Sequence, residues 1–129
     1  MSRLAAPLLW IEAVIAFVFG LAFLVAPEAM FESATDAALG TPSAVIDVRA
    51  TYAGMSIATA MLLAFFARRG PLRTGLMVSI VVWGSIAFAR VIGFVFDGSA
   101  NAIMLVNLAL EVGAVLAGLL VLRSLDDGA

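Results

Sequence analysis

The chain has 129 residues, 64% of them hydrophobic, with a formal net charge of −2 and neither cysteine nor histidine. Those two absences exclude disulfides, thiolate zinc sites, iron–sulfur clusters and the usual haem ligands, and no basic face is available for nucleic acid. No cofactor is expected, and any metal would need an all-oxygen site.

The apolar residues arrive in four blocks of about 20 residues or more, each able to cross the roughly 30 Å hydrocarbon layer at about 1.5 Å per residue. The expected fold is all-α, a four-transmembrane-helix bundle forming a single membrane domain over 1–129, with no separate soluble module. The predicted spans are about 7–26, 42–67, 74–96 and 101–122.

Arg3 precedes the first span, in which Pro7 suits the first helical turn and Pro27 marks the end. Glu12 within the apolar run, and the lack of a small-x-small cleavage site, favour retention over removal as a signal peptide. From Pro27 to Gly40 the chain carries Glu28, Glu32 and Asp36 at four-residue spacing, with Met30, Phe31, Ala34 and Leu39 elsewhere around the turn. This fits either a short helix lying in the membrane surface or a solvated acidic loop. Thr41-Pro42 reads as an N-cap and first helical position launching the second span. Arg68-Arg69-Gly70-Pro71-Leu72-Arg73 is the most polar connection, after which the third span runs from Thr74 to Phe96. Asp97-Gly98-Ser99 turns the chain, and the fourth span ends before Arg123 and the tail Asp126-Asp127. Arginines in the short connections put both termini and the central loop in the cytoplasm and the two acidic connections outside.

Each span carries a charged stripe. On the second helix Arg49, Tyr52, Ser56 and Thr59 share one face, and Ala50, Gly54 and Ala58 form a small-residue ridge suited to close packing by a neighbouring helix or a second copy, packing within the bundle being favoured. On the third, Ser79, Trp83, Arg90, Gly93 and Asp97 line up; on the fourth, Asn107 and Glu111; on the first, Glu12 beside Ala16, Phe19 and Phe23. A lone charge near mid-bilayer costs roughly 2.5 to 3.5 kcal/mol on insertion scales, so these stripes are expected to turn inward and pair. By helical rise Arg90 lies roughly 9 Å and Glu111 roughly 15 Å below the outer boundary, within reach of each other, whereas Glu12 lies roughly 20 Å below it. The expected polar cluster is Arg49, Tyr52, Ser56, Arg90, Asp97, Asn107, Glu111 and Glu12.

Asp47-x-Arg49-x-x-Tyr52-x-Gly54, Ala89-Arg90-x-x-Gly93-x-x-x-Asp97-Gly98 and Glu111 in the last span together resemble a bacterial family of small four-helix membrane proteins of unknown function. Ala53 and Ala89 stand where glycine is common in that family. The resemblance covers nearly the whole chain and implies an inner-membrane bundle, without supplying an activity, substrate or cofactor.

Function rests on the residues. The favoured reading is a non-enzymatic binding or accessory protein whose arginines and Tyr52 engage an anionic amphiphile, a membrane lipid or a partner's acidic group. Alternatives are proton or small-solute translocation through Glu111 and Glu12, and a structural subunit of a homo-oligomer or larger membrane complex. An intramembrane enzyme is disfavoured, because there is no nucleophile–base pair, metal-ligand set or phosphate loop.

Overall fold

The computed structural model describes residues 2–98 and 100–126, so Ser99 of the expected turn and Asp127 of the tail lie outside the described residues. A 3₁₀ turn at Ser2–Leu4 leads into α1 (Ala5–Val25). Then come α2 (Pro27–Thr35), α3 (Pro42–Arg68), α4 (Leu72–Asp97) and α5 (Ala102–Asp126). As the apolar blocks predict, four of these helices, α1, α3, α4 and α5, are long and apolar enough to cross a membrane.

The acidic stretch after α1 is a helix and not a loop. Pro27 occupies its first turn, where a missing N–H costs nothing, and Glu28 meets the positive end of the helix dipole. Asp36 closes it in the left-handed region at φ 57°, its N–H donating to the Glu32 carbonyl at 2.8 Å. Met30 and Phe31 turn toward Phe23, Val48 and Ala53, while Glu28 and Glu32 remain exposed. α2 is thus amphipathic and closes one end of the bundle.

α3 starts as expected: the Thr41 hydroxyl oxygen accepts from the Ala44 N–H at 3.2 Å, with Pro42 next in line. It departs from regular geometry over Arg49–Gly54, which is π-helical. Val48 and Ala53, five residues apart, are both buried, the spacing that a π turn brings onto one side.

α1 is the hub, touching α3, α4 and α5; it packs most closely on α3, and α4 on α5. In lipid there is little hydrophobic gain from joining two helices, so close backbone approach matters more. At Gly20 of α1 a β-carbon would lie 2.9 Å from Ile57 Cγ1 and 3.1 Å from the Ala53 carbonyl oxygen. At Gly118 of α5 one would meet Ile80 Cγ1 at 2.8 Å. The expected ridge is a correction: Ala50, Gly54 and Ala58 are all exposed, and the face of α3 toward α1 is instead Ala53, Ile57 and Ala60. The π segment breaks the regular periodicity from which the ridge was read.

The apolar core at the end holding both termini comprises Ala5, Leu9 and Ala13 with Leu63, Leu76 and Val121. Outward positions such as Ile11, Val14, Val18, Phe88 and Leu120 are exposed, as befits a surface solvated by acyl chains.

Candidate functional site

The inward stripe of α4 carries two polar stations. Arg90 lies seven residues before the end of α4, about 10 Å in from Asp97, and Glu111 lies nine residues into α5, about 14 Å from Ala102. The close α4–α5 contact brings them together as a two-pronged pair: Nε donates to Oε2 at 3.1 Å and Nη2 to Oε1 at 2.7 Å. This fork geometry fixes both side chains and is the strongest form of a guanidinium–carboxylate contact. The two ends differ in access, the Arg90 side chain being 23% exposed and that of Glu111 7%. Two of the five guanidinium N–H donors are engaged by Glu111.

The second station lies near the opposite end. Glu12 sits seven residues into α1 and Ser79 seven residues into α4, each about 10 Å from its helix start, so the two meet at one level. The Ser79 hydroxyl donates to Glu12 Oε2, and both residues are buried. Glu12 Oε1 and the indole Nε1 of Trp83, one turn above Ser79, are buried as well. One is an acceptor and the other a donor, both presented at the α1–α4 contact.

The remaining expected site residues go elsewhere. Arg49 does not join Glu111: its Nε donates to the Leu24 carbonyl at 3.1 Å, at the last turn of α1, where a cation complements the negative end of the helix dipole. Tyr52 stacks on Phe23 at 4.9 Å and meets Phe31 edge-on at 6.3 Å, so its ring belongs to the aromatic seam beneath α2. Ser56 and Asn107 are half-buried, and Asp97 is exposed at the end of α4 before Gly98. The expected single cluster is therefore corrected to two separate stations and a rim arginine.

Two contributors escaped the sequence reading. Ser79 stood in the right stripe, and the depth arithmetic that pairs Arg90 with Glu111 would also have paired it with Glu12. Asn101 caps α5 by accepting from the Met104 N–H at 2.8 Å, and its amide donates to the Ala34 carbonyl at 2.9 Å and to Asp36 Oδ2 at 3.0 Å. That residue ties α2 to the start of α5.

Fold and site together define a small multi-pass helical membrane protein with ionisable groups held inside an apolar bundle. The chain belongs to the family described as Domain of unknown function (DUF4345), matched over residues 5–122, which takes in nearly the whole chain, in agreement with the resemblance seen in the sequence. No curated protein and no solved structure matches it.

Proposed function

We propose that this is a non-enzymatic binding or accessory protein of the bacterial inner membrane, in which Arg90 presents a guanidinium to the anionic head of an amphiphile or to a partner's acidic group. The carrying observation is the unequal access of the pair: Glu111 is sealed at 7% exposure while Arg90 keeps 23%. The carboxylate is the anchor and the guanidinium the open face. An oriented, partly desolvated guanidinium is suited to phosphate or carboxylate, and the apolar walls suit an acyl chain.

Lipid co-purified with the protein tests this. Arg90→Ala, if still helical and monodisperse, is expected to lose an anionic amphiphile that the native protein retains in native mass spectrometry. A folded variant retaining all of it overturns the reading.

A second reading rests on one observation. The stripe of Ala50, Gly54 and Ala58 is exposed, which fits a helix of another chain and hence a structural subunit. Crosslinking from Ala58→Cys in native membranes would yield a discrete adduct under this reading and none under the first.

A further inference from the structure

We propose that the groove between the start of α2 and the first turns of α3 is a binding site for the headgroup of a zwitterionic phospholipid, one that carries a phosphate and an ammonium group. The groove is shallow and open to the surface, with a volume of about 420 Å³, and is lined by Glu28, Arg49 and Thr41 with apolar Leu39, Val45 and Ile46. That volume falls within the range of small-ligand sites.

Its level is set by Arg49, which is bonded to the carbonyl of Leu24 in the last turn of α1. The groove therefore lies where an apolar span ends and its interfacial helix begins, the layer occupied by headgroups. Glu28 and Arg49 carry opposite charges, line the same groove, and are both exposed. Among the described residues no ion pair joins them. Arg49 commits Nε to Leu24, leaving the Nη end of its guanidinium for a phosphate. Glu28 offers a carboxylate to an ammonium at the other side. Thr41 accepts from Ala44 through its oxygen, so its hydroxyl hydrogen is left to donate to a phosphate or ester oxygen. The apolar wall receives the glycerol and the first methylenes.

One charge of each sign makes the lining neutral, which selects against a lipid with a net negative head, because Glu28 repels it. The proposal does not depend on Arg90 or Glu111, which sit on other helices.

The test is competition in native mass spectrometry of the whole detergent-purified protein, with phosphatidylethanolamine, phosphatidylglycerol and the chain-free glycerophosphoethanolamine as probes. The native protein is expected to prefer phosphatidylethanolamine over phosphatidylglycerol. Glu28→Gln, an exposed change that disturbs no packing, is expected to lower that preference about tenfold, the scale of one charge-assisted hydrogen bond. Glu28→Arg is expected to reverse it. Arg90→Ala is expected to reduce bound phosphatidylglycerol while leaving the amount of bound phosphatidylethanolamine unaltered, which separates this site from the Arg90–Glu111 pair. Equal binding of the two lipids by the native protein, or an unchanged ratio in Glu28→Gln, overturns the proposal. Displacement of the lipid by equimolar glycerophosphoethanolamine overturns the lipid assignment in favour of a free zwitterion.

Discussion

Arg90 and Glu111 are held by each other, and the cost of separating them follows from where each is placed. Removing one partner of a buried pair typically costs about 3 to 5 kcal/mol, because a charge is left without compensation. Glu111→Leu is expected at the low end, about 3 kcal/mol, since Arg90 retains 23% exposure and can recover some hydration. The double variant Arg90→Met with Glu111→Leu is expected to regain most of that loss, as measured by thermal unfolding in detergent followed by circular dichroism. Equal instability of single and double variants would mean that the pair's geometry, and not its charge balance, holds α4 to α5. At the other station, Ser79→Ala removes the hydroxyl donated to Glu12 while leaving the carboxyl buried. A loss of about 1 to 3 kcal/mol is expected, the scale for an orphaned buried polar group, and Glu12→Met in the same background should restore stability. The Arg90–Glu111 partnership was legible beforehand because both residues could be placed by depth. That of Glu12 with Ser79 carries a weaker signal, because a serine hydroxyl in an apolar helix can be satisfied by its own backbone carbonyl whereas a charge requires a partner.

Among the elements, α3 shows where periodicity misleads. A regular helix puts Ala50, Gly54 and Ala58 on one side, and that stripe invites close packing. The π turn over Arg49–Gly54 adds a residue to the local repeat, and the contact with α1 forms through Ala53, Ile57 and Ala60 instead. The closest approach on α1 is at Gly20, so Gly20→Leu is expected to destabilise the α1–α3 pair by about 1 to 3 kcal/mol, whereas Gly54→Leu, which faces open space, should be tolerated. Thermal unfolding of the two variants side by side decides between these faces. α2 depends on its neighbours in a different way. Asn101→Ala removes both the α5 cap and the amide bonds to Ala34 and Asp36, so about 1 kcal/mol is expected to be lost and hydrogen exchange in α2 to rise selectively.

For the whole molecule, sidedness can be tested with single introduced thiols, because the chain has no cysteine to interfere. The arginines of the central connection and the acidic residues of the α1–α3 connection argue for cytoplasmic termini. Ala38→Cys and Arg69→Cys both introduce exposed thiols, at opposite ends of the bundle. In intact cells a membrane-impermeant maleimide is expected to label the first and to reach the second only after permeabilisation. The reverse pattern would invert the topology while leaving the bundle itself unaltered.

The number of spans, the helix boundary at Pro27, the cap at Thr41, and the depth of each charge were determined by the sequence itself. A helix advances by a fixed rise, and an apolar block must cover a fixed thickness, so position along each axis can be counted. Rotation about that axis cannot be counted in the same way. Lipid is as apolar as the bundle interior, so nearly uniform apolar helices carry little information about which side faces a neighbour. Only the tertiary structure decided that Arg49 turns to the end of α1, that Tyr52 joins an aromatic seam, and that the buried charges form two stations. The residues responsible are small ones at close crossings and a π turn, whose effects appear only once the helices are in contact.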